Sequence, residues 1–257
     1  MFDLLHYASG IIEEADNPFI QIDLKDLDKK IDYPELLPVL PIKNTVLFPG
    51  VVIPITVNRF KSIRAVEDAY TSDKMIMVLT QIKQDVENPG PDDMYTVGVI
   101  AEIHKLIRMP DGSITIVIQG RSRFAVDSFE QSEPYLKGRF TILEYIQPSD
   151  TREFEAQISS IKDMARNIIE ISPNIPNEAN NMLRNIESNT FLLNFIASNL
   201  SVDTSGKQKL LETAYLPDFA NMLLSNMHDE FNLLQLKGQI ESKVRTDLEK
   251  QQRDYFL

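Results

Sequence analysis

Apolar and polar positions change period near residue 147. Before that point they come in short runs that read as strands; after it they recur at helical spacing. From Leu36 to Ser62, Pro38, Pro41, Pro49 and Pro54 alternate with short runs of Val, Ile and Leu. Proline removes a backbone donor and fixes φ, so each run predicts a short strand or an edge strand. Phe48-Pro49-Gly50 reads as the turn between two of them. Residues 75–80 predict a buried strand. Residues 97–103 predict another, with Gly98 marking a bulge or a close backbone approach. Residues 104–108 and 113–119 flank Met109-Pro110-Asp111-Gly112, a hairpin whose Asp-Gly supplies the positive φ of a tight turn. Residues 123–129 and 136–146 complete the set. Short strands at near-regular spacing predict a closed or nearly closed small barrel. One helix interrupts it: Ile63, Val66, Ala69 and Tyr70 share a face, with Ser62 as N-cap.

After Gln147-Pro148-Ser149-Asp150, Phe154, Ile158, Ile161, Ala165, Ile168 and Ile169 form one apolar stripe. Pro173 and Pro176 stop that helix. A short helix over 178–186 follows, then one capped at Asn189-Thr190 and one capped by Asp203 and running through Leu211. Pro217 sits in the first turn of a last helix that continues toward Leu257. After residue 237 its apolar stripe narrows and charge rises, so that half has little to bury and projects or packs on something else. The expected fold class is α+β, a small β-barrel followed by an α-helical bundle with a long C-terminal helix. The expected parts are a leader at 1–35, a β domain at 36–147 and a helical part at 148–257.

Composition narrows the function classes. The chain of 257 residues, 43% apolar and 25% charged, has ample material for a core. It contains no cysteine, which removes disulfides and thiol chemistry and fits a reducing cytoplasm. No apolar run has the length needed to span a bilayer. The net charge is −12, and residues 1–35, with nine acids against three bases, carry half of it. That block reads as an open acidic leader. No basic stripe suits a phosphate backbone, so nucleic acid and anionic membrane surfaces are disfavoured. Arg121-Ser122-Arg123 is too small to alter this.

The order of short motifs is more specific. It runs through Leu37-Pro38-Val39-Leu40-Pro41-Ile42, Val46-Leu47-Phe48-Pro49-Gly50, Arg59 with Lys61-Ser62, and Asp93-Met94-Tyr95-Thr96-Val97-Gly98. It continues with Met109-Pro110-Asp111-Gly112, Gly120-Arg121-Ser122-Arg123-Phe124 and Glu133-Pro134-Tyr135-Leu136. Lys207-Gln208-Lys209-Leu210-Leu211-Glu212 and Gln252-Arg253-Asp254-Tyr255-Phe256-Leu257 close the series. From Leu36 onward the chain resembles the amino-terminal substrate-binding region of the bacterial ATP-dependent protease Lon. The resemblance implies a PUA-like barrel, a helical bundle and a long helix leading to an ATPase module and a Ser-Lys protease domain. It implies capture of unfolded or damaged proteins and assembly of copies into a homo-oligomeric ring, a hexamer in the family. ATP and Mg would be bound by those further domains, and the chain reads as an amino-terminal piece of such a protein. Phe60 stands where the family often has an acidic residue, and Phe219 falls in a stretch that usually carries an arginine.

The residues themselves offer no catalytic set. The only Gly-Lys pair, Gly206-Lys207, lacks the rest of a phosphate-binding loop. His6, His104 and His228 have no metal-ligand spacing. No serine has a context suggesting a base and an oxyanion site. No catalysis, cofactor or metal is expected of this chain alone. The candidate substrate-binding residues are Arg59, Phe60 and Lys61, where a strand ends and a helix begins. In one reading Phe60 takes an apolar side chain between two cations; in the other it staples the helix start. The loop from Asn88 to Asp93 is a candidate rim. Met75, Met77, Met222 and Met227 read as core rather than as an adaptable binding face. An adaptor or small-ligand binder of the same fold, without a protease, is the alternative function. RNA binding rests on barrel analogy alone.

Overall fold

The computed structural model describes residues 31–172, 175 and 179–255. The acidic leader is outside the described residues up to residue 30. Among the described residues six strands form one mixed sheet: β1 (Leu37–Ile42), β2 (Val52–Val57), β3 (Met75–Thr80), β4 (Val97–Arg108), β5 (Ile114–Gln131) and β6 (Lys137–Leu143). Their order is β2-β5-β4-β3-β1-β6, and a further β5–β6 pairing closes β5, β4, β3, β1 and β6 into a ring. This is the closed barrel the strand spacing predicts. β1 and β3 are parallel, and helix α1 (Phe60–Thr71) lies in the crossover between them. Parallel neighbours need such a crossover. β3 is buried on both faces: Ile76 and Val78 join one core cluster, Met77 and Leu79 the other. Its unbroken apolar run is the consequence.

The sequence predicts two strands where β5 is one strand of 18 residues. Gly120 invites the division, yet it lies inside the ladder. A Cβ there would lie 2.3 Å from the Phe48 carbonyl oxygen. Glycine lets the Phe48-Pro49-Gly50 turn cross the strand, and Gly50 N–H donates to the Gly120 carbonyl at 2.8 Å.

The helices that follow are α2 (Thr151–Ile171), α3 (Ala179–Arg184), α4 (Asn189–Asn199), α5 (Thr204–Glu212) and α6 (Leu216–Tyr255). Every residue of the stripe from Phe154 to Ile169 is buried. Asp150 caps α2, and Asp203 caps α5 by accepting from Gly206 N–H at 2.8 Å. Two caps fall elsewhere than the sequence suggests. α4 is capped by Ser188, whose Oγ accepts from Phe191 N–H. α1 begins two residues before Ser62, with Arg59 as N-cap in extended conformation and no side-chain cap bond. Ser62 lies inside the first turn and is buried, because the chain turns helical as soon as it leaves β2.

A single core cluster runs from Leu40 and Ile116 in the barrel to Leu193, Phe219 and Met227 in the helices, across residue 147. Arg123 joins the two sides. It is 1% exposed, its Nη1 donates to the carbonyls of Leu211 (2.6 Å) and Thr213 (3.1 Å), and its Nη2 donates to that of Glu144 (3.3 Å). The carbonyls at a helix C-terminus lack intrahelical donors and carry partial negative charge. A buried guanidinium at the end of α5 satisfies both. Its plane stacks over Tyr145 at 4.0 Å, and Tyr145 stacks on Phe219. Phe219 is 0% exposed and completes this stack. Ile146 N–H donates to the Ala214 carbonyl and Leu216 N–H to that of Ile146, which fixes the root of α6 to the strand side.

Three tyrosine hydroxyls in the chain keep their protons above the ordinary range. Burial pushes Tyr145 up to about 12, against the pull of Arg123 and of its hydrogen bond to Asn194. Burial, then the hydrogen bond to Asp68, raises Tyr135, and burial raises Tyr33. A raised folded pKa gives stability that is present below the unfolded value of 10.0 and is lost as pH climbs toward about 12. In that window the tyrosinate absorbance of the native chain is expected to lag that of the chain in guanidinium. Coincident curves would refute the assignment.

Candidate substrate-binding surface

β2 ends at Val57, buried at 4% exposure, and three residues later α1 begins at Phe60, which is 68% exposed. Helical geometry explains the difference. The buried face of α1 is Ser62, Ala65, Val66 and Ala69. At 3.6 residues per turn Phe60 points almost directly away from it. The stapling reading of Phe60 is therefore wrong: the ring stands in solvent at the first helical position.

The three residues nominated from sequence diverge in what they do. Arg59 turns inward, and its Nη2 donates to Gln81 Oε1. Burial lowers its pKa, partly offset by Glu87. Lys61 reaches Glu133 at 2.5 Å, with both side chains largely in water, where such a pair contributes little. Neither forms an open pair of cations around the ring. The cation at Phe60 is Arg64, one turn on, with its guanidinium 5.5 Å from the ring centroid. Sequence reading missed Arg64, although its (i, i+4) spacing from Phe60 is the signal that would have found it.

Arg59 has a structural use. Gln81, itself 0% exposed, donates to the carbonyls of Lys83 (3.2 Å) and Val86 (2.9 Å). The loop after β3 is thus gathered onto the residue that starts α1. The candidate rim continues through a 3-10 turn at Pro91–Asp93, where Asp93 accepts from Gly90 N–H at 2.9 Å. Ile82, next to Gln81, is 48% exposed. At the tip of the β4–β5 hairpin Ile107 and Met109 are also exposed, and Arg108 between them bridges to Glu67 of α1 at 2.8 Å. Of the methionines, Met77 and Met227 are core, Met75 is half-buried and Met222 is partly exposed. Arg121 is paired with Glu102 and Arg123 is buried, so the small basic cluster is not a surface patch. Among the described residues no helix is long and apolar enough to cross a membrane.

The family model of the ATP-dependent protease La (LON) substrate-binding domain matches residues 36–229, which takes in the whole barrel, the surface around Phe60 and the root of α6. The chain belongs to the Lon substrate-binding domain family. It is 44% identical over 227 residues to Lon protease of Flavobacterium johnsoniae and 42% identical over 233 residues to that of Cytophaga hutchinsonii. These alignments cover 88% and 90% of this chain but 28% of each relative, so the chain spans under a third of the Lon proteases it matches. The N-terminal domain of a Mycobacterium avium complex Lon protease superposes with a TM-score of 0.63 at 21% identity, over 76% of this chain and 98% of that one. The Lon N-terminal domain protein of Xanthomonas campestris gives 0.53 at 17% identity, over 74% and 97%. At these identities the superpositions concern the fold alone, and the fold is the Lon N-terminal one.

Proposed function

We propose that this chain is the substrate-recognition and assembly part of an ATP-dependent Lon protease and captures unfolded or damaged proteins at the Phe60 surface. The observation that carries the reading is an aromatic ring 68% exposed at the start of α1, beside a loop held in place through Arg59 and Gln81. Membership of a substrate-binding family supports it. Unfolded chains differ from folded ones in offering apolar side chains and bare backbone, and an exposed ring beside a cation suits the first of these. One such contact is weak. Copies arranged in a ring would engage one long chain at several points, which multiplies weak affinities. ATP and Mg would be held, and peptide bonds cut, by other domains of the protease, in the cytoplasm.

The test is binding of the chain to one protein in its folded and chemically unfolded forms. The unfolded form is expected to bind preferentially, and Phe60→Asp to weaken it about tenfold, the effect of losing one aromatic anchor. Equal binding to both forms would make this part a structural and assembly element only.

A further inference from the structure

β2 is paired on one side only. Its partner is β5, and among the described residues no strand lies along its other edge. The ring closes without it through β5 and β6, so β2 stays outside the closure. The Gly120 N–H donates to the Val51 carbonyl at 2.9 Å, which sets the phase of the ladder. In an antiparallel strand the backbone groups of successive residues face opposite neighbours. Ile53, Ile55 and Val57 therefore turn their backbone groups to β5, and Val52, Pro54 and Thr56 turn theirs outward. The proline agrees with this phase. Register with β5 runs unbroken from Val52 to Val57, so the donor that Pro54 lacks is missing from the outer side.

From this edge we infer that an extended segment of the unfolded substrate adds to β2 as a further strand, with Phe60 as its side-chain anchor. The inference rests on the recognition reading above and specifies how the substrate is held. The edge offers two donors (Val52 and Thr56 N–H) and three acceptors (the carbonyls of Val52, Pro54 and Thr56). Any extended chain matches these, which suits a module that handles many sequences. Side-chain preference comes from the pleat. Ile53 and Val57 are buried and Ile55 is half-buried at the margin of the core, whereas Pro54 and Thr56 are exposed. An added strand with apolar residues at alternate positions would extend that core layer past Ile55. Beyond Val57 the chain continues into Phe60 and Arg64, which lie against each other, so the end of the segment there suits an apolar residue followed by an acidic one. Pro54 blunts the middle of the edge against pairing between copies of the chain.

The test uses the whole chain and a labelled peptide in which valine alternates with glutamate. It adds two analogues, N-methylated at every second residue in one phase or the other. An N-methyl group removes a backbone donor without changing the side chain. One analogue is expected to bind as the parent does and the other at least about tenfold more weakly, the loss of two or more backbone hydrogen bonds. On binding the parent peptide, the amides of Val52 and Thr56 should become protected from hydrogen exchange. Thr56→Pro, which removes the second outward donor, should weaken the peptide severalfold with its thermal unfolding unchanged. Equal affinity of all three peptides overturns strand addition. So does protection of the Val52 and Thr56 amides in the free chain, since the edge would then be occupied already. If the peptides bind alike while Phe60→Asp still weakens unfolded protein, strand addition falls and the recognition reading stands. If the chain binds neither peptide nor unfolded protein, both fall.

Discussion

Arg123→Ala is expected to lower stability by about 3 to 5 kcal/mol, through the buried acceptors it strands. Three carbonyls, of Leu211, Thr213 and Glu144, lose their donor, the first fully buried and the other two partly so. The ring of Tyr145 loses the guanidinium lying on it. The cavity left at a residue 1% exposed adds a packing loss. Arg123→Lys should recover only part of the effect, because an ammonium is a point charge and cannot serve three carbonyls with a planar fork. Urea unfolding followed by circular dichroism measures both. The core crosses from barrel to helices, so the transition should stay single and shift as a whole. A shift under about 1 kcal/mol, the range of an ordinary surface change, would show that Arg123 does not join the two sides.

Gly98→Ala is the second large effect. A Cβ there would lie 2.2 Å from the Val78 carbonyl oxygen and 2.7 Å from the Leu79 side chain. The first contact is with backbone of the neighbouring strand, which cannot move aside as a side-chain tip would. The expected cost is about 3 kcal/mol, at the upper end for overpacking. The same change at Gly238, in open space on α6, is the control and should stabilise slightly, since alanine favours helix over glycine. Equal melting temperatures for the two variants would refute the close approach of β3 and β4.

The legible parts of the fold are those in which a residue's role depends on its neighbours in sequence. The double burial of β3 is written in its continuous apolar run, and the α2 stripe in its spacing. The exposure of Phe60 follows from its phase relative to Val66 and Ala69. Gly98 announced a close approach correctly. Gly120 falls between two predicted strands, yet the strand continues through it: a glycine signals proximity but not where a strand ends. Ser62 looked like a cap because its chemistry fits one, yet the helix had already begun. Arg123 could be seen as part of a motif but not understood. Two of its acceptors lie 88 and 90 residues away and are backbone groups, which no side-chain pattern reveals. Arg59 and Lys61 were nominated for their charge, and only the tertiary structure shows one turned to Gln81 and the other to Glu133.

The two halves of α6 stand in different mechanical conditions. The helix has 40 residues and a length of about 60 Å. Leu216, Phe219, Leu223 and Met227 are buried, and Glu230 holds the backbone and hydroxyl of Ser201 at 3.1 and 2.8 Å. Leu233, Leu236, Ile240, Val244 and Leu248 are about half exposed, whereas Leu234 still packs against the core. The first half is clamped and, among the described residues, the stretch beyond Leu234 is a cantilever of about 32 Å. Each degree of rotation at the clamp sweeps its tip through about 0.6 Å, from the rise per residue of an ideal helix. The same ratio works in reverse. A force on the tip arrives at the clamp as a torque, borne by the buried apolar residues of α6 and by the contacts of Glu230 with Ser201.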